Sequence, residues 1–384
     1  MPPKDFIEAR ELGKDHAIVD GQPYLPKVVV APKGPPQHVA AAAVVVLGLQ
    51  TKNGSSLDEF LTVSPVLGGL SNTLYRVEGL QTLDSSSVVD SILVRIFGAE
   101  GMIDRDIETS TFAALAKEGH VPPYYGRFGN GRLEGWMTGM RPLDVPELSR
   151  DAIIQAVARK VAVLHTKFQI PNSLKKYYTE PNMWRQLEEW LQQALKNKYQ
   201  TVHDEERAAS LQLATTVADE FAWIRCQVLP ANALVVYCHN DLLAANIMYN
   251  ETTHDLQLID FEYGGVNFRS FDVANHWNEY ASGPPHETVP HYDWLPNEEQ
   301  QNLFCRTYLQ AAASDNETIT DGQVQALRSE VQAFLLPNHL YWGLWAINQA
   351  ATEGCDKYDY MRYGIERFRQ YYKCKQEWLS SSSN

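Results

Sequence analysis

Cys238-His239-Asn240-Asp241-Leu242-Leu243-Ala244-Ala245-Asn246, followed by Leu256-Gln257-Leu258-Ile259-Asp260, is the stretch on which the reading of this chain turns. The apolar run Ala233 to Tyr237 predicts a strand leading into it, and Leu256 to Ile259 predicts another. The order is strand, His-x-Asp loop, Asn, strand, Asp. Phosphoryl transfer needs that set: one carboxylate beside the attacking hydroxyl, and oxygen ligands for a metal that clamps nucleotide phosphates. Magnesium keeps several waters, so two side chains suffice for it. Asp241 is the candidate base, and Asn246 and Asp260 are the candidate ligands of Mg2+. Turn-forming Asp and Asn residues are the plainer reading of the loop alone. The second acid, at hairpin distance after an apolar strand, favours a phosphotransferase.

The rest of the composition fits a small-molecule enzyme. At 384 residues the chain is long enough for two or three domains. A formal charge of −14 disfavours nucleic acid or an anionic membrane as partner and suits a cationic substrate. The five cysteines, 226, 238, 305, 355 and 374, have no CxxC spacing and read as reduced thiols. The opening Met1-Pro-Pro-Lys-Asp has no signal-peptide pattern, which predicts a cytoplasmic protein. The longest apolar run, Val39 to Leu49, is too short to span a bilayer and predicts a buried helix or strand.

Taken in order, residues 1–37 carry seven prolines and predict a peripheral, partly disordered arm. Residues 38–137 predict a first lobe. In it Phe60 to Val63 and Leu67 to Val77 form a strand–turn–strand signal. Its Gly68, Gly69, Leu70, Ser71, Asn72 and Thr73 are either a phosphate-cradling loop or an ordinary hairpin turn. Val88 to Phe97 is the next strand, with Arg95 either snorkelling to a sheet edge or meeting phosphate. Glu108 opens a helical pattern and is placed to pair with Arg95, as Lys pairs with Glu in protein kinases. Two further strands flank Gly129-Asn130-Gly131, and Thr138 to Pro142 reads as a linker. Residues 138–379 predict a mainly helical second lobe, with helices from Ser149, over 183–195, 205–228, 298–313, 322–349 and 358–378. Residues 380–384 read as a disordered tail. Trp342 and Trp345 share one helix face, and Tyr358, Tyr360 and Tyr363 follow. With Tyr263 they form either an aromatic core patch or a box for an ammonium group.

These pieces resemble the eukaryotic choline/ethanolamine kinase family, which is similar in fold to aminoglycoside phosphotransferases and, more distantly, to protein kinases. The matching strings are Gly68-Gly69-Leu70-Ser71-Asn72, Val94-Arg95-Ile96-Phe97-Gly98, Gly131-Arg132-Leu133-Glu134, Cys238-His239-Asn240-Asp241, Ile259-Asp260-Phe261-Glu262-Tyr263, Phe271-Asp272-Val273-Ala274-Asn275-His276 and Trp342-Gly343-Leu344-Trp345. They run in family order from about residue 60 to 375. The resemblance implies an α+β, two-lobed kinase-like fold, with a small antiparallel-sheet N-lobe and a larger, mainly helical C-lobe. It implies ATP-dependent phosphorylation of the hydroxyl of ethanolamine or choline, for phospholipid synthesis. Asp241 would be the catalytic base, with Asn246 and Asp260 on magnesium. ATP would meet Gly68 to Thr73, Arg95 held by Glu108, the backbone at Gly135 and Met137, and Arg141. Tyr263, Trp342, Trp345, Tyr363 and Glu279 would line the ammonium pocket.

Two departures bear on the substrate. Choline kinases usually carry Arg where this chain has Leu67, and Gln where it has Leu243. Asp241-Leu242-Leu243, Ile103-Asp104-Arg105-Asp106 and Asn278-Glu279-Tyr280-Ala281 look like the ethanolamine branch. Gly131-Arg132-Leu133-Glu134 and Ile259-Asp260-Phe261 lean toward choline kinases, so the branch is open, leaning to ethanolamine. A protein kinase is disfavoured because Asp260-Phe261-Glu262 replaces Asp-Phe-Gly and no Ala-Pro-Glu follows. An aminoglycoside-type phosphotransferase and a catalytically inactive binding module are the remaining alternatives. A homodimer is an open option.

Overall fold

The computed structural model describes residues 17–50, 56–66, 72–98, 104–284, 286–314 and 317–381. The chain forms two compact units, Met1–Met140 and Arg141–Asn384.

The first unit is built on a seven-stranded sheet. In chain order its elements are β1 (Ala17–Val19), β2 (Gln22–Leu25), α1 (Pro36–Leu47), β3 (Thr62–Val66), β4 (Asn72–Glu78), α2 (Leu80–Leu83), β5 (Ser91–Phe97), α3 (Arg105–Lys117), β6 (Tyr124–Phe128) and β7 (Gly131–Gly135). The strand order is β1-β2-β6-β7-β5-β4-β3, antiparallel except where β2 runs parallel to β6. Period-two alternation sorts the central strands into two faces. Ile92, Val94 and Ile96 of β5 and Leu133 of β7 join Val39, Ala40, Ala43 and Val46 of α1 in one buried core. Arg95, Arg132 and Glu134 therefore lie on the opposite face.

The expected arm over 1–37 is corrected where it is described. β1 and β2 extend the sheet, and Leu25, Val28 and Val30 are buried in the core. Asn130, in the β6–β7 turn, pairs with the Val30 backbone as a strand would: Oδ1 accepts from N–H at 3.0 Å and Nδ2 donates to the carbonyl at 2.8 Å. Prolines interrupt periodicity without preventing this docking, which a periodicity reading does not register. Residues 1–16 lie outside the described residues, as do Gly68, Gly69, Leu70 and Ser71 of the expected phosphate loop. Asn72 and Thr73 open β4.

The second unit is mainly helical. It comprises β8 (Arg141–Pro142), α4 (Asp151–Lys167), α5 (Asn182–Ala194), α6 (Val202–Ser210), α7 (Leu213–Trp223), β9 (Val235–Cys238), β10 (Ile247–Tyr249), β11 (Leu256–Leu258), β12 (Gly265–Phe268), α8 (Arg269–Asn278), α9 (Glu298–Ala312), α10 (Asp321–Thr352) and α11 (Tyr360–Ser381). β9 pairs with β12, and β10 pairs with both β11 and β8. Arg141 and Pro142 thus belong to this unit rather than to a linker. The single helix expected over 205–228 is two, because Gln212 adopts a left-handed φ of 50° that no α-helix continues through. α11 runs to Ser381, so the expected tail begins inside a helix, and 382–384 lie outside the described residues. Among the described residues, no helix is long and apolar enough to cross a membrane.

Candidate active site

The loop after β9 is held from below by one buried carboxylate. Asp272, in the first turn of α8, accepts the His239 N–H at 2.9 Å through Oδ2 and the Asn240 N–H at 2.7 Å through Oδ1. His165 of α4 donates its Nε2–H to the same carboxylate at 2.9 Å, while its Nδ1 lies 3.0 Å from the Tyr308 hydroxyl. Burial alone would raise the Asp272 carboxyl, but the bond and charge of His165 outweigh it and hold the group below its ordinary value. Asn240 sits at φ 66°, in the left-handed region. Its side chain fixes that turn, donating to the Tyr263 carbonyl at 2.9 Å and accepting from Asn267 at 2.8 Å. His239 faces the Ile259 carbonyl at 2.8 Å through Nε2 and accepts the Asp241 N–H at 3.3 Å through Nδ1. That pattern requires the neutral Nε2–H tautomer, and burial lowers the ring's pKa to match.

The β10–β11 hairpin supplies the rest. Ile247 pairs with Leu258, so Asn246 and Asp260 flank the hairpin's open end, where the Ile259 N–H donates to the Asn246 carbonyl at 3.0 Å. Asp260 is itself left-handed, at φ 63°. Asn246 Nδ2 donates to the Asp241 carbonyl at 2.8 Å and reaches Asp241 Oδ2 at 3.3 Å, which leaves Oδ1 as the amide's acceptor. Asp241, Asn246 and Asp260 are thus brought together, and their oxygen donors are the hard ligands that magnesium prefers. Burial, followed by the charges of Glu279, Asp260 and Glu262, pushes the Asp241 carboxyl well above the usual carboxylate range. Such crowding of acids attracts a cation.

Tyr263, close enough to Asp241 to feel its charge, begins a cluster of aromatic rings. Trp342 meets Tyr263 at 5.6 Å and Trp345 at 5.5 Å between centroids, both edge to face. Trp345 donates its indole N–H to the Tyr263 hydroxyl at 3.0 Å, and Trp342 donates to Asn275 at 2.5 Å. Tyr360 continues the chain of rings at 5.7 Å from Trp345, followed by Tyr358 and then Tyr363. Tyr263, Trp345, Tyr358, Tyr360 and Tyr363 are only half-buried, unlike the rings of the core. Trp342, between Tyr263 and Trp345, is buried. Glu279, buried and bonded to Ser282 at 2.7 Å, adds an acid whose carboxyl burial raises. Arg367, buried with its guanidinium 5.8 Å from the Tyr363 ring centre, donates to Asn338 at 2.8 Å.

The nucleotide candidates fare differently. Arg95 pairs with Glu134, Nε to Oε1 at 2.7 Å, and Glu108 pairs instead with Arg132 at 2.6 Å. The expected Arg95–Glu108 pair is therefore corrected. Arg95 and Arg132 face each other directly in the register of β5 and β7, and Glu134 on the same face lies diagonal to Arg95 and bridges both. Nor does Arg95 snorkel to an edge, since β5 is an interior strand and the side chain is buried. The Gly135 N–H donates to the Pro123 carbonyl at 2.8 Å, and the Met137 carbonyl accepts from Met140 at 3.2 Å. Arg141 forks onto Glu147 at 2.7 and 2.8 Å and also reaches Glu251.

Sequence reasoning gave no role to Asp272, Asn275 or Arg367. An acid within Phe271-Asp272-Val273-Ala274 is the signal that could have flagged the first, because a charge among buried apolar residues must be paired. His165, Cys238 and Asp272 also lie close enough to suggest a metal site. The His165–Asp272 bond and the two backbone donors already occupy that carboxylate, which makes the cluster a support for the loop.

The chain has clear relatives among known proteins. Residues 63–372 match the choline/ethanolamine kinase family. The chain is 30% identical to probable ethanolamine kinase A of Dictyostelium discoideum, over 85% of this chain and 89% of that one. It is also 30% identical to probable choline kinase 1 of Arabidopsis thaliana, over 82% and 87% respectively. The solved structure of Plasmodium vivax ethanolamine kinase superposes with a TM-score of 0.71 at 22% identity, covering 88% of this chain and 89% of that one.

Proposed function

The chain belongs to the choline/ethanolamine kinase family, and from that premise we propose that it transfers the ATP γ-phosphoryl group to the hydroxyl of ethanolamine and, less efficiently, of choline. The observation that carries this reading is the meeting of Asp241, Asn246 and Asp260 beside a half-buried cluster of aromatic rings. In it Asp241 accepts the proton of the amino-alcohol hydroxyl as that oxygen attacks phosphorus. Its raised proton affinity suits a base, and Asn246 orients it. Asn246 and Asp260 would hold magnesium, which when bound neutralises phosphate charge. Arg95, braced by Glu134, and the backbone near Gly135 and Met137 take the nucleotide.

The cationic head belongs against Tyr263, Trp342, Trp345 and Tyr363, with Glu279 nearby. A primary ammonium carries three N–H donors and needs acceptors when buried, whereas trimethylammonium gains mainly from aromatic faces. The buried Glu279 favours ethanolamine, in keeping with Leu243 and with Asn278-Glu279-Tyr280-Ala281. Five free thiols suit a reducing compartment, the cytoplasm. The test is ADP release with ethanolamine, choline, an aminoglycoside and a generic protein substrate in parallel, with and without magnesium. Magnesium-dependent turnover of ethanolamine above choline, and of neither other acceptor, is expected. Turnover of the aminoglycoside alone would overturn the reading.

A further inference from the structure

We infer that Arg207 is a positioning residue for the ammonium pocket, acting through Asp359 to hold the turn that carries Tyr358 and Tyr360. The inference rests on the reading above, in which these rings help to enclose a cationic head.

The turn over residues 353–359 joins α10 to α11, and it lies against α6 and the residues just before it. At its beginning, Gly354 has φ 77°, and a Cβ there would meet the Gln200 side chain at 2.9–3.1 Å. The Cys355 thiol next to it lies close enough to Asp204 to feel its charge. At its end, Arg207 Nη1 donates to Asp359 Oδ2 at 2.8 Å. The other Asp359 oxygen accepts the Arg362 N–H at 3.0 Å, capping α11. Asp359 thus joins two jobs, a helix cap and the far end of an ion pair.

The other half of the clamp is stiff. Arg207 Nη2 also engages Asp204, which is buried and accepts the Thr201 hydroxyl at 2.6 Å. The Thr201 oxygen in turn caps α6 through the Asp204 N–H at 3.1 Å. Partner charge and hydrogen bonds overcome burial and hold both carboxyls below their ordinary values, as expected of a standing ion pair.

Asp359 stands between the two tyrosines that close the ring cluster. Tyr358 lies 4.9 Å from Tyr360 and 6.2 Å from Tyr363, and Tyr360 lies 5.7 Å from Trp345. A turn this short moves both rings together if its anchor is released. Aromatic recognition of a cation depends on several faces holding their distance at once. Loss of the clamp therefore falls on the amino alcohol, and more heavily on choline, which has no N–H to offer an acceptor.

The test compares Arg207→Gln, which keeps the stem packed, and Asp359→Asn, which keeps an acceptor for the helix cap. KM for choline, ethanolamine and ATP, kcat and the melting curve are measured for each full-length variant. KM for choline should rise roughly fivefold or more, ethanolamine less, and KM for ATP and kcat should stay within about twofold. Unchanged KM values for both amino alcohols, whatever the melting point, would overturn the inference alone. So would failure of both variants to fold, because the pair would then be structural. Absence of amino-alcohol turnover in the unmodified chain would overturn the underlying reading and the inference with it.

Discussion

Asp241 is the residue on which the chemistry converges, and it is singled out by what surrounds it. Its neighbours Glu279, Asp260 and Glu262 crowd negative charge around a half-buried carboxylate. Asp241→Asn should leave the fold and ATP binding intact and lower kcat roughly 10²–10⁴-fold. Single-turnover kinetics beside calorimetric ATP titration would test this, and a variant keeping a tenth of the turnover would remove Asp241 from the role of base. The rings give a second prediction at this scale. Trp345→Ala should cost choline more than ethanolamine by roughly 1–2 kcal/mol in kcat/KM. Glu279→Gln should do the reverse, because it removes an acceptor charge that only the primary ammonium uses. Equal losses for both substrates would mean that these side chains shape the unit rather than read the ammonium.

At the scale of elements, the catalytic loop depends on α8 more than on its own residues. One Asp272 carboxylate satisfies two loop N–H groups and His165. Asp272→Asn should destabilise the second unit by roughly 3 kcal/mol or more, since it leaves buried donors unmatched. The sign with pH follows from the lowered folded-state value. Stability from Asp272 is fully present above its ordinary value of 3.8 and is lost as pH falls through the lower folded value. The penalty of the variant, measured by urea unfolding, should therefore shrink on acidification. A penalty that is constant down to strongly acidic pH would show that packing, not the carboxylate, is what the substitution removes. The hairpin has a comparable role. Asn246 and Asp260 come together because Ile247 pairs with Leu258, so a register slip would separate them without altering either residue.

For the whole molecule, the first unit reaches further toward the N-terminus than its proline content suggests. Leu25, Val28 and Val30 lie in the same core as α1 and β5. A chain beginning at residue 38 would expose that core and one edge of β6. Its melting midpoint should fall by roughly 5–10 °C, on a loss of a few kcal/mol. An unchanged midpoint by calorimetry would restore the peripheral-arm description.

Local pattern determined a good deal of this protein. Periodicity placed the strands around Gly129-Asn130-Gly131 and the helices that follow, because side-chain alternation is written directly into the sequence. The spacing of Asp241, Asn246 and Asp260 was legible for the same reason: one loop and one hairpin span it. The aromatic pair Trp342 and Trp345 was legible as a helix face, but whether it was core or box was not. Partners that come from distant parts of the chain were decided only by the tertiary structure. Arg95 takes Glu134 because strand register sets them diagonally on one sheet face, while Glu108 is drawn off by Arg132. Asp272 reaches the loop, and Arg207 reaches Asp359, across segments that no spacing rule connects. A buried charge must find a partner, and the sequence states that requirement. Which partner it finds depends on which opposite charge the packed backbone brings within hydrogen-bond reach.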